Sequence, residues 1–183
     1  MAVVELVEAD QAPLLARRYY SSGDAGPIVA ALAQVPEVLD VAMPFLSVVL
    51  GPSSIPIRVK ELVILRTSEV SRCRFCVDAH SAAALDLGLT GDEVRALRGD
   101  RGIDLVFTDP SERALLEWVD AVAGSRGALH SCVDLLKCHV PDYQVVELTL
   151  LIGATMMLNR FCTALELPTA PSTSARLAAA GIT

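Results

Sequence analysis

Aromatic side chains are scarce in this chain: one Trp, three Tyr and four Phe in 183 residues, or 4%. A core must therefore be aliphatic, and 52% hydrophobic residues supply enough Leu, Val, Ala and Ile for one of ordinary size. Clusters of basic residues are missing too. The 15 Lys and Arg residues are scattered among 22 acids, giving a net charge of −7. Phosphate binding needs clustered cations, so no nucleic-acid partner is expected. The opening MAVVELVEAD has acids where a secretion signal needs cations and then an apolar block. No uninterrupted apolar run approaches the roughly 20 residues of a membrane span. The longest, residues 145–158, carries Glu147. These absences lead to the expectation of a cytoplasmic protein with no membrane partner.

What is present begins with cysteine. Five cysteines are an odd number, and a chain with no export signal has little use for a disulfide framework. A Cys-x-x-Cys in that setting reads as redox or metal chemistry. Cys132, Cys138 and Cys162 read as small apolar side chains of the interior. The length suits one domain. The mean hydropathy of +0.47 is high for a monomer, so part of the surface is expected to be covered by another copy of the chain.

Apolar residues recur at helical spacing through most of the chain. Helices are expected over residues 27–35, 36–50, 55–72, 73–87, 90–99, 109–123, 127–139 and 142–165. Thr90 and Glu93 have the capping-box spacing, and Asp109-Pro110 opens the helix that follows. Residues 101–108 read as a loop or extended stretch. Residues 1–167 are taken as a single domain, and 168–183, rich in Ala, Ser, Thr and Pro, as a frayed tail. There is also an echo. Glu61-Leu-Val-Ile-Leu65 matches Glu147-Leu-Thr-Leu-Leu151, and Cys73-Arg-Phe-Cys76 matches Asn159-Arg-Phe-Cys162 twelve residues after each Glu. An old helix duplication, in which only the first copy kept both thiols, and coincidence between Leu-rich segments both account for it. Under duplication, Glu166 stands where His80 stands, and the second copy is structural.

The chemistry-bearing segment is Cys73-Arg-Phe-Cys76-Val-Asp-Ala-His80. Two thiols so spaced at a helix start are close enough to form a disulfide. The thiolate is the nucleophile, and the unpaired N–H groups of a helix start favour it. His80 follows Cys76 by one helical turn on the same face, where it can take or return a proton. Cys76 is therefore expected to attack first and Cys73, at the more exposed helix start, to resolve; the thioredoxin-like order is the alternative. Glu61 precedes Cys73 by twelve residues, about 18 Å along one unbroken helix. It joins the site only if the chain turns back near Arg72, and then either directly or through a water.

Glu-x11-Cys-x-x-Cys-x3-His resembles the active-site motif of the alkylhydroperoxidase D (AhpD) family, within the carboxymuconolactone decarboxylase-like superfamily. It reads here as Glu61, Cys73, Cys76 and His80, and residues 145–161 look like that family's terminal helix. The resemblance implies an all-α, AhpD-like helical bundle of about seven to eight helices, with the Cys-x-x-Cys starting a core helix. It implies assembly as a homotrimer or homohexamer. It implies a peroxidase whose Cys73–Cys76 disulfide is restored by a dithiol protein or lipoyl-type reductant, with Glu61 and His80 relaying protons. No cofactor is implied. Phe75 stands where some members carry another His. True decarboxylases of the superfamily do not depend on a Cys-x-x-Cys, which argues against lactone decarboxylation. A protein-disulfide reductase, or a redox-switched oligomer without catalysis, would use the same thiols. Zinc held by Cys73, Cys76 and His80 would need a fourth ligand, and an inert buried cluster is the plainest alternative. Glu61 could be a solvated surface acid. His130 and His139 read as surface residues, Asn159 and Arg160 as hydrogen-bonding supports of the last helix, and Trp118 as a core anchor.

Overall fold

The structure is a computed structural model that describes residues 2–21, 23, 25–124 and 129–182. Among these there is no strand. Ten α-helices follow two short 3₁₀ turns. They are α1 (Pro27–Leu32), α2 (Pro36–Leu50), α3 (Ile57–Val70), α4 (Arg74–Asp86), α5 (Gly91–Leu97), α6 (Ile103–Val106), α7 (Pro110–Gly124), α8 (Leu129–Lys137), α9 (Asp142–Ala164) and α10 (Pro171–Ala179).

The helix starts follow local chemistry. Pro27, Pro36 and Pro171 each occupy a first helical turn, where the missing N–H costs nothing. Thr90 and Glu93 form the capping box reciprocally. Asp109 Oδ1 accepts from the backbone N–H groups of Ser111 and Glu112 at the head of α7. At the end of α2, Gly51 leaves the helix so tightly that a Cβ there would lie 2.3 Å from the Ser47 carbonyl oxygen. The expected helix over 127–139 begins at positions outside the described residues.

Helix α3 is the centre of the bundle. Leu62, Val63, Ile64 and Leu65 are all buried, so it is apolar around its whole circumference here. One side packs with α2, α7, α8 and α9 through Leu46, Val63, Ile64, Leu115, Trp118, Leu148 and Ile152. The other packs with α4, α5, α7 and α10 through Leu62, Leu65, Val77, Leu97, Leu116 and Leu177. Trp118 is the core anchor its type suggests, and its indole N–H donates to Thr149 Oγ1 at 3.2 Å. Lys60, 0% exposed, donates to the carbonyls of Val49 (3.0 Å) and Gly51 (2.7 Å) and pairs with Glu147 at 3.0 Å. A lysine tolerates such burial only with its donors matched.

Three expectations need correction. Residues 101–108 contain the one-turn helix α6. Residues 168–183 are not a frayed tail: α10 lies on α4, with Leu177 and Ile182 buried in the same cluster as Val77. So α9 is not the terminal helix. It has the length and apolar content to cross a membrane, but it packs along α3 and α7 as a core helix. The two copies of the echo take different shapes, and the second is a structural helix, as the duplication reading has it. The first copy is split over α3 and α4, whereas Glu147 and Cys162 both lie on the unbroken α9, about 22 Å apart by helical rise.

Candidate active site

The site begins at the turn between α3 and α4. The chain reverses at Ser71 and Arg72, and Arg72 takes a left-handed conformation (φ 56°). That reversal lays α4 back along α3, which is the hairpin the Glu61 reading requires. His80 Nδ1 and Glu61 Oε1 are 2.8 Å apart, so the link is direct and no bridging water is needed. Glu61 is 5% exposed and belongs to the interior, not the solvated surface. A carboxylate oxygen can only accept, so Nδ1 carries the hydrogen and Nε2 presents its lone pair. The imidazole is about one-third exposed and remains reachable from solvent.

Cys73 is the N-cap of α4. The backbone N–H of Cys76 donates to its sulfur at 3.4 Å, within the range for sulfur acceptors. Cys73 is 0% exposed and Cys76 5%, so the expected exposed helix start is instead sealed. Ala31, Phe161, Leu165 and Leu167 cover it. Behind Cys76, Asp78 is buried against Arg98 (3.3 Å) and also takes a bond from Arg74 (3.1 Å), which pins α4 to the end of α5.

A third thiol belongs to the cluster. The sulfurs of Cys73, Cys76 and Cys162 all lie within 4.8 Å of one another, with no histidine or carboxylate in the group. The zinc set drawn from sequence, which included His80, is not the set that converges. Cys162 is buried as expected, but among sulfurs; Cys132 is half-buried, and Cys138 is exposed, against expectation. Cys162 is the echo partner of Cys76, and that repeat was the one signal for it in the sequence. Asn159, one turn before Cys162, is buried, and its Nδ2 donates to Ser68 Oγ at 3.0 Å. It holds the helix, as foreseen, but at the thiols. Arg160, His130 and His139 are exposed.

Electrostatics divide the three thiols. Hydrogen bonds from the Cys162 and Cys76 thiols outweigh burial and hold Cys73 far below the usual thiol range. A hydrogen bond with Cys162 pulls Cys76 down, but the adjacent Cys73 sulfur and burial together push it well above that range. The Cys73 and Cys76 sulfurs and burial push Cys162 up as well. The cluster thus suits one thiolate and two thiols. Three thiolates could ligate a soft metal ion, but the apolar surroundings Ala31, Phe75, Phe161 and Leu167 offer no counter-charge, so the donor set fits such an ion poorly.

An apolar recess of about 600 Å³ opens beside the motif, lined by Ile28, Val29, Met43, Leu46, Phe75 and Leu158 among others. It lies between α1, α2 and α9, and Phe75, which lines it, also packs against the cluster that holds the three thiols.

Comparison with known proteins follows the same lines. The sequence profile described as "Carboxymuconolactone decarboxylase family" matches residues 36–121, from α2 to α7, and leaves the region of Cys162 outside it. A crystal structure from Agrobacterium tumefaciens, of a protein of unknown function proposed to be the antioxidant-defence protein AhpD, is 30% identical. It covers 76% of this chain and 95% of its own, with a TM-score of 0.70. An uncharacterised peroxidase-related protein from Silicibacter sp. TM1040 superposes with a TM-score of 0.81 at 19% identity, covering 94% of this chain and 93% of its own. The debrominase Bmp8, as the C82A variant with 2,3,4-tribromopyrrole, also gives 0.81, at 17% identity and 98% coverage of both chains. At such identities the last two speak for the fold alone. Family profile, Agrobacterium relative and fold agree: the chain belongs to the AhpD-like group of the carboxymuconolactone decarboxylase-like superfamily.

Proposed function

We propose that this protein is a thiol-dependent peroxidase acting on organic hydroperoxides through Cys73, Cys76, His80 and Glu61. The observation that carries the reading is the direct Glu61–His80 hydrogen bond, one helical turn from a thiol pair that starts a helix. A purely structural cysteine pair has no use for an imidazole oriented by a buried carboxylate.

The roles follow from the division of charge. Cys73 holds the resting negative charge and Cys76 the proton. Charge alone favours Cys73 as the first nucleophile; access favours Cys76. Access decides, because a sulfur with no exposure meets no peroxide, and Cys76 shares a helix face with His80. His80 Nε2 takes the Cys76 proton. The Cys76 sulfur attacks one peroxide oxygen, the O–O bond breaks, and the alkoxide leaves with the proton from His80. Hydroperoxide has become alcohol, and Cys76 a sulfenic acid. The Cys73 thiolate, already ionised, attacks that sulfur; hydroxide leaves and is protonated to water, and the disulfide forms. A dithiol reductant, protein or lipoyl-type, then attacks the disulfide and is itself oxidised.

The recess beside Phe75 supports an organic substrate, since its apolar wall would take a hydrocarbon arm while the peroxide group faces the thiols. The apolar residues left exposed along α2 (Val38, Val41, Phe45, Val48) and α9 (Val146, Leu150, Met157) support assembly of identical copies, three or six by family resemblance.

The test is hydroperoxide consumption with an excess of small-molecule dithiol, on wild type, Cys73→Ser and Cys76→Ser, with thiol trapping after each turnover. Wild type should consume peroxide and pass through a Cys73–Cys76 disulfide, and Cys76→Ser should be inactive. Reduction of protein disulfides without peroxide consumption would overturn the reading in favour of a disulfide reductase.

A further inference from the structure

Cys162 takes no part in the cycle above, yet it is 1% exposed and its sulfur stands as near to Cys76 as the distance bracket of the Cys73–Cys76 pair itself. We propose that Cys162 is a second resolving thiol, able to take the place of Cys73 and form a Cys76–Cys162 disulfide between α4 and α9. The inference rests on the peroxidase reading of the same site and adds a residue that the family motif does not contain.

Three observations carry it. The first is distance. All three sulfurs lie within 4.8 Å of one another, and a disulfide closes at about 2 Å, so neither partner needs more than a short shift to reach Cys76. The second is presentation. Asn159 and Cys162 are one turn apart on α9 and both are buried, with the Cys162 sulfur within 4.8 Å of the Cys76 sulfur. Ser68 on α3 holds the Asn159 amide in place from the other side. This face of α9 is thus fixed against α3 by a hydrogen-bonding side chain, not only by apolar packing. The third is the register of α9. The Leu167 N–H donates to the Cys162 carbonyl at 3.0 Å, and Glu166 takes a left-handed conformation (φ 51°), a helix stop that places Cys162 in the last turn. A last turn shifts by the small distance that disulfide closure requires more readily than a mid-helix residue does.

The step balances without a further reagent. Hydroperoxide oxidises Cys76 to the sulfenic acid. The Cys162 thiol attacks that sulfur, the S–O bond breaks, and the hydroxyl leaves as water with the Cys162 proton. The product is the Cys76–Cys162 disulfide, and a dithiol reductant returns both thiols. Two neighbours able to trap the sulfenic acid shorten its life, and a sulfenic acid that waits for a second peroxide goes on to sulfinic acid.

The experiment uses the full chain with Cys132 and Cys138 replaced by Ser, so that only the three clustered thiols remain. Cys73→Ser in this background is treated with one equivalent of an organic hydroperoxide and mapped by non-reducing peptide mass spectrometry, in parallel with a sulfenic-acid probe. The expected result is a Cys76–Cys162 disulfide and little probe adduct. Adding Cys162→Ser should convert the product to a persistent adduct at Cys76, and Cys162→Ala should do the same, with circular dichroism confirming the fold of each. A persistent adduct at Cys76 in Cys73→Ser with Cys162 free would overturn the proposal and leave the peroxidase reading intact. If hydroperoxide oxidises no thiol, the peroxidase reading fails, and a dithiol-specific oxidant such as a diazenedicarboxamide is applied to the same variant. A Cys76–Cys162 disulfide then upholds the redox pairing by itself, and two free thiols refute it.

Discussion

Replacing Glu61 with Gln isolates the part of the site that sequence spacing could not establish. The substitution keeps an oxygen facing His80 Nδ1, 2.8 Å away in the parent, and removes the charge. Hydrogen bonds to charged groups contribute about 1.5–3 kcal/mol net and neutral ones about 0.5–1.5. Glu61 is 5% exposed, so water screens little of that difference. The change is then about 1–1.5 kcal/mol in the stability of the imidazolium, or roughly five- to tenfold in rate if the imidazolium is formed in the transition state. His80→Ala removes the proton-handling group itself, and such groups are typically worth about 10²–10⁴-fold. The assay is kcat/KM for an organic hydroperoxide with dithiol reductant in excess, on both single variants and the double. Because Glu61 acts through His80, Glu61→Gln should cost nothing further in the His80→Ala background. A Glu61→Gln loss as large as that of His80→Ala, or losses that multiply in the double variant, would refute this reasoning and place Glu61 on the reacting atoms.

Three further outcomes are expected. The reduced protein should show the ultraviolet absorbance of one thiolate per chain at neutral pH, lost in Cys73→Ser, because Cys73 is held far below its ordinary value of 9.0. The linked stability should be present above that value and decline as pH falls through the lowered one. Above 9 the raised Cys76 and Cys162 oppose it, since they ionise first in the unfolded chain; chemical denaturation across pH checks both limbs. Leu177→Ala should destabilise by about 2–5 kcal/mol, the range for a buried leucine, measured by denaturant melts, whereas a frayed tail would give no change. Val41→Glu with Val48→Glu should reduce a three- or six-copy assembly to smaller species in light scattering, leaving the helical signal intact.

What could be read from the chain was whatever depends on nearby residues. Helix starts at Thr90 and Asp109 follow from capping, and the one at Pro36 from proline in a first helical turn; helical periodicity made a hairpin near Arg72 thinkable, but only the folded chain shows that Glu61 meets His80 directly. What could not be read depends on residues far apart. Cys162 meets Cys76 from another helix, and no spacing rule links them; only the repeated Arg-Phe-Cys hinted at it. The burial of Cys73 comes from Leu167 and Phe161 closing over a helix start that would otherwise be open. Helix α10 escaped notice because a segment of Ala, Ser and Thr carries one leucine, Leu177, and that leucine becomes informative only once α4 is there to receive it.

Lys60 gives Glu61 a mechanical neighbour. It precedes Glu61 on α3, and its ammonium is tethered to the carbonyls that end α2 and to Glu147 on α9. Leu50 and Gly51, at that same end of α2, line the apolar recess. A guest that wedges α2 outward therefore pulls on Lys60, and the load passes along one peptide bond to the residue that aims His80. The wall of the recess and the Glu61–His80 hydrogen bond are rigged to one post.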